Sequence, residues 1–148
     1  ALPIFSAMRR YGAQYGMTPY GAAWVDSLTR EVLELRGTGA QVLVLGPIPD
    51  PHVQAPFCLS GHLDDATACS SARSTAVNET GMAAESAATK AAGGYYVDLT
   101  GLFCTADRCP VIVGNTLVYQ DQNHATEKYA RLLAPVIGAL VDRMLARG

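Results

Sequence analysis

The chain has 148 residues, 49% of them apolar and 16% charged, with a formal net charge of −2. That is enough chain for one domain with a sizeable core, and it excludes a disordered segment. The arginine pair Arg9-Arg10 is too small a basic feature for a nucleic-acid partner, and no apolar run approaches the roughly 20 residues that cross a bilayer.

The opening "ALPIFSAMRRYG" has no initiator Met and no polar lead-in. Residues 2 to 7 read as a buried strand entering mid-fold, so an N-terminal part of a larger polypeptide is expected before it. "RRYGAQYGMTPYG" reads as a loop. From Pro19 to about Arg36, Trp24, Leu28, Val32 and Leu35 recur at helical spacing, with Gly37 and Gly39 as C-terminal punctuation. "QVLVLG" is a continuous apolar run of the kind found in parallel strands covered on both faces. The proline-rich "PIPDPHVQAP" after it excludes helix and central strand and is expected as a surface loop.

Residues 71 to 92 are Ala-rich and predict one helix, weakened by Gly81. Tyr95 to Leu99 predicts a strand, and "CPVIV", "GNT", "LVYQD" an antiparallel excursion turning at Gly114-Asn115. The final helix is expected from Thr126, its N-cap, to about Leu145. Its predicted apolar face is Tyr129, Leu132, Leu133, Val136, Ile137, Leu140, Val141 and Met144, with a local kink at Pro135. The whole order is that of an α/β fold, the second half of a doubly wound sheet.

Four cysteines form two local pairs, Cys58 with Cys69 and Cys104 with Cys109. Their spacings match no zinc-finger or ribbon pattern, and His52 and His62 do not repair it. Two disulfides are the expected state, which places the domain in an oxidising compartment outside the cytoplasm.

The chemistry concentrates in "YQDQNHAT". Asp121 precedes His124 by three residues, just before the last helix. A neutral imidazole there takes a proton from a hydroxyl, and the carboxylate orients the ring. The competing reading is a polar turn whose Asp caps its own backbone, because so short a motif also arises by chance. His52, beside the predicted site edge, reads as a solvated loop histidine, Trp24 as core, and Arg9 and Arg10 as structural. Asn115 is explained by its turn.

"YVDLTGLFCTADRCPVIVGNTLVYQDQNHATEKYARLLAPVI", with "GAQVLVLGPIPDP" and "IFSAMRRY" upstream, resembles SGNH-hydrolase domains. It is most similar to those fused to bacterial, particularly actinobacterial, membrane acyltransferase family 3 proteins. The resemblance implies a three-layer, flavodoxin-like α/β fold with a parallel sheet, and a serine acyl-enzyme mechanism. His124 would be the general base and Asp121 its orienting carboxylate. Gln122 and Asn123 inherit no role. The Gly-Asp-Ser block that carries the nucleophile in this family does not occur in these residues. Ser6, Ser27, Ser60, Ser70 and Ser71 lie in the wrong context to replace it, Ser60-Gly61-His62 included.

The chain is therefore expected to be the C-terminal part of one such domain, 1–148, and inactive by itself. Its expected partners are an acylated glycan or glycolipid of the cell envelope, the nucleophile-bearing N-terminal part, and the parent's membrane acyltransferase domain. No cofactor or metal is expected. The location implied is extracytoplasmic, in the periplasm or cell envelope, tethered to the inner membrane. The alternative is a non-catalytic carbohydrate-binding or scaffolding domain on the same fold.

Overall fold

The structure, a computed structural model, describes residues 21–146. The strand expected at residues 2 to 7, with Ser6, Arg9 and Arg10, lies outside them. The chain divides into two compact units. Among the described residues the first comprises 21–46 and Glu79–Val97, the second Pro47–Asn78 and 98–146.

In the first unit, helix α1 (Ala22–Gly37) turns Trp24, Leu28 and Val32 inward, the four-residue spacing that the sequence predicts. Leu35 shares that face but stays 43% exposed, since the last turn runs past the buried cluster. Strand β1 (Leu43–Leu45) pairs in parallel with β3 (Tyr95–Val97), placing Leu43 opposite Tyr95 and Leu45 opposite Val97. Tyr95 N–H to Val42 O and Gly46 N–H to Val97 O, both 2.8 Å, lengthen the ladder at each end. Leu28, Val32, Val42, Val44 and Ala92 form the core, with Tyr96 packed against it. The parallel pair between helical segments confirms the α/β class.

The connection into β3 requires glycine. Gly93 has φ +81°, and a Cβ on Gly94 would stand 2.9 Å from Val32 Cγ1. The buried carboxylate of Glu85, in α4 (Glu79–Ala91), accepts hydrogen bonds from Trp24 Nε1–H at 2.7 Å and Tyr96 O–H at 3.1 Å. It thereby ties α1, α4 and β3 together, and its burial is compensated by these donors.

The single helix expected over 71 to 92 is not what forms. Ser71–Ala72 is strand β2, Arg73–Ala76 the short helix α3, and Val77 is extended before α4 begins. Distant groups claim this backbone. β2 pairs antiparallel with β4 (Arg108–Cys109), Arg73 N–H donates to Asp107 O at 2.8 Å, and Ala76 O accepts from Asp50 N–H at 2.9 Å. A weak apolar stripe gives the continuous helix too little to set against those bonds.

In the second unit the proline-rich segment is loop as far as Gln54. Helix α2 (Ala55–Ser60) then begins with Pro56 in its first turn, where the missing N–H costs nothing. Cys58 in α2 is bonded to Cys69, which ends a 3-10 turn over Ala66–Cys69, and Cys104 is bonded to Cys109. Both expected disulfides are present and no cysteine is free. By the chain-entropy relation, loops this short give about 2–3 kcal/mol each. Thiol titration of the denatured, unreduced protein should find no free thiol, and reduction should lower the urea midpoint accordingly.

Strands β5 (Ile112–Val113) and β6 (Thr116–Leu117) form the expected hairpin, with Gly114 at φ +56° in its turn. Helix α5 (Glu127–Leu145) is capped as predicted, Thr126 Oγ1 accepting from Tyr129 N–H at 3.1 Å, and runs unbroken through Pro135. Its apolar face is less covered than the sequence implies. Tyr129 and Met144 are buried, whereas Leu132, Val136 and Leu145 are exposed, so the stripe has no full cover among the described residues.

Candidate active site

The loop that carries Asp121 and His124 is closed by its own backbone before any side chain is considered. Val118 N–H donates to Val111 O, Thr126 N–H to Val118 O and Gln120 N–H to His124 O, while Tyr119 and Ala125 face each other across an antiparallel bridge. Residues 120–124 therefore form a short reversal between the hairpin and α5, anchored on one side by fully buried Val118 and Tyr119.

Inside this reversal Asp121 has two tasks. Its Oδ1 accepts from the backbone N–H groups of Asn123 (2.9 Å) and His124 (2.8 Å), and its Oδ2 lies 2.7 Å from His124 Nδ1. The turn cap and the contact with the imidazole, alternatives from sequence, thus both occur, on different oxygens of one carboxylate. An ionised carboxylate only accepts, so Nδ1 carries the hydrogen of a neutral ring and Nε2 is the basic nitrogen. Partial burial alone would push the Asp121 carboxyl up. The two backbone N–H groups and His124 outweigh it and hold the group below its ordinary 3.8. Because the folded value is depressed, the loop's support from this charge is complete above pH 3.8 and is lost as pH falls through the lowered value.

Aromatic packing flanks the loop. The Phe103 ring lies 6.2 Å from that of Tyr119 and 5.4 Å, edge-on, from that of Tyr129, whose hydroxyl donates to Leu102 O. Tyr119 is wholly buried, and its hydroxyl has no hydrogen-bond partner among the described residues. Burial, then Tyr129 and the Asp50 carboxylate, push that hydroxyl's pKa far up. A desolvated, unpaired hydroxyl is a net cost. Tyr119→Phe should therefore leave the unfolding free energy unchanged or raise it by up to about 1 kcal/mol, measured by urea denaturation.

The other residues considered from sequence are placed elsewhere. Ser60 Oγ donates to Phe57 O at the end of α2, and Ser71 Oγ donates to Pro51 O, so neither sits in a strand-to-helix nucleophile turn. Asn115 occupies the hairpin turn, its carbonyl 3.5 Å from Lys128 Nζ. His52 is more constrained than a solvated loop histidine: its φ is +57°, its N–H donates to Asp50 Oδ1, and its Nε2 lies 3.3 Å from Thr75 O. Among the described residues Cys58, His62 and Cys69 have donor atoms close enough for one metal ion, with both sulfurs engaged in the disulfide. In the sequence His62 carries one signal for such a cluster, its place between the two cysteines and four residues after Cys58.

No curated protein matches the chain. Among solved structures it is similar to the periplasmic domain of a Salmonella ser. Paratyphi A lipopolysaccharide acetyltransferase, with a TM-score of 0.63 at 16% identity over 80% of this chain. It spans about half of that structure's chain, 49%. At that identity the likeness is one of fold. The family model for the SGNH domain fused to AT3 domains matches residues 4–139, nearly the whole chain, and on that ground the chain belongs to this SGNH family.

Proposed function

We propose that this domain takes part in extracytoplasmic acyl transfer, or acyl-ester hydrolysis, on a cell-envelope glycan or glycolipid, with Asp121 and His124 as its acid–base dyad. The reading is carried by the 2.7 Å contact between Asp121 Oδ2 and His124 Nδ1, on a carboxylate whose other oxygen is fixed by two backbone N–H groups. In this reading Nε2 takes the proton of a serine hydroxyl as that oxygen attacks the acyl carbonyl. The imidazolium, stabilised by Asp121, then returns the proton to the leaving oxygen, and a water or sugar hydroxyl repeats the sequence on the acyl-enzyme.

The serine and the oxyanion donors come from outside these 148 residues, which hold no Gly-Asp-Ser block. These residues are then the C-terminal part of the complete domain. Two disulfides, and the likeness in fold to a periplasmic domain, support the location. The family's fusion to AT3 domains supports a membrane acyltransferase as the partner that supplies the acyl group.

The test is acyl-ester turnover by the intact protein and by its His124→Ala variant, assayed on a chromogenic acetyl ester and on an acetylated glycan. Loss of turnover with the fold retained supports the reading. Equal turnover overturns it in favour of a non-catalytic carbohydrate-binding domain.

A further inference from the structure

The loop stapled by Cys58 and Cys69 carries a third group of interest. His62 lies four residues after Cys58, at the C-terminal end of α2, and the local turns Gly61 N–H to Cys58 O and His62 N–H to Leu59 O bring it back over the helix. Its Nδ1 stands 3.8 Å from Cys58 Sγ and 3.9 Å from Cys69 Sγ, nearly equidistant from the two sulfurs. Tetrahedral zinc, with Zn–S near 2.3 Å and Zn–N near 2.0–2.1 Å, separates sulfur from nitrogen by about 3.5–3.6 Å and sulfur from sulfur by about 3.8 Å. Both nitrogen–sulfur separations are already within a few tenths of an ångström of that requirement. What differs is the bond between the sulfurs themselves.

We propose that Cys58, His62 and Cys69 form a two-state site: a disulfide when oxidised and, once reduced by a dithiol, a three-ligand site for Zn²⁺. The reductant gives two electrons and two protons to the disulfide and becomes a disulfide itself, leaving two thiols. Zn²⁺ then binds both sulfurs as thiolates and releases the two protons, with His62 Nδ1 as third ligand. In the oxidised state Nδ1 is engaged with Cys58 O at 2.9 Å, so metal binding moves the ring hydrogen to Nε2. Cys69 is 1% exposed while His62 is exposed. The Cys69 thiolate is therefore shielded while Cys58 is half-buried, and the fourth position, on the His62 side, opens to water. The two states exclude each other, because a sulfur in a disulfide has no thiolate to offer. Bound zinc would hold the loop closed and protect its thiols before oxidation.

Zinc is titrated against a chromophoric chelator into three proteins, each reduced with a dithiol and then freed of it. They are the wild type, His62→Ala and the double variant Cys58→Ser/Cys69→Ser, which leaves Cys104 and Cys109 as the internal control. Expected are one Zn²⁺ per reduced wild-type chain, affinity weakened at least about 10-fold in His62→Ala, and loss of that site in the double variant. The oxidised wild type should bind none. His62→Ala forms the same disulfide, so its oxidised form checks by circular dichroism that the substitution leaves the fold intact. Undiminished affinity in His62→Ala, zinc uptake by the oxidised protein, or no uptake by the reduced wild type would each overturn the proposal. None of these readouts depends on ester turnover, so this site and the dyad stand or fall separately.

Discussion

His124→Ala in the intact protein is expected to lower ester turnover by about three to four orders of magnitude, the scale on which serine enzymes lose rate without their activating base. The effect should fall on kcat, because the imidazole acts on the proton moved in the transition state rather than on the bound acyl group. Asp121→Asn is the more informative companion. The amide oxygen still accepts from the N–H groups of Asn123 and His124, so the turn should keep its shape. What it loses is the negative charge 2.7 Å from Nδ1, and with it the preference for the Nδ1–H tautomer. Turnover should fall by roughly 10²–10³, less than for loss of the base itself. If Asp121→Asn were as active as wild type while His124→Ala was dead, the carboxylate would be a turn cap only.

Phe103→Ala should cost about 3–5 kcal/mol, the usual range for removing a buried aromatic ring. Phe103 is 2% exposed and lies against both Tyr119 and Tyr129. Those two tyrosines stand on either side of the dyad loop in sequence, one at the end of the hairpin and one in the first turn of α5. Loss of the ring should therefore loosen Asp121 and His124 as well as the core, lowering turnover along with the urea midpoint. Phe103→Leu, which refills most of the volume, should cost less than about 2 kcal/mol and keep most activity. A Phe103→Ala loss below about 1 kcal/mol would mean that the aromatic cluster does not organise this unit.

Much of the candidate site was legible because it is local. Asp121 and His124 are three residues apart, so one turn suffices to bring carboxylate and ring together, and the N-cap at Thr126 follows from its own side chain. The disulfides join cysteines only 11 and 5 residues apart, for the same reason. α1 and β1 were legible from apolar periodicity, since Trp24, Leu28 and Val32 bury one helical face and "VLVL" fits a strand covered on both sides.

Tertiary structure decided the rest, and in each case the deciding group lies far along the chain. The segment 71–78 leaves the helical state because Asp50, Asp107 and Cys109 take its backbone hydrogen bonds, a competition that no window of local sequence contains. Leu132 and Val136 are as apolar as a core helix demands, yet burial is a property of what covers a face, not of the face. By spacing His62 completes no zinc-finger or ribbon pattern, yet the fold brings two sulfurs to within 4 Å of its ring. Side-chain spacing along the chain fixes which groups share a turn. Which groups from separate turns meet depends on chain closure, and that is settled by the packing of the whole.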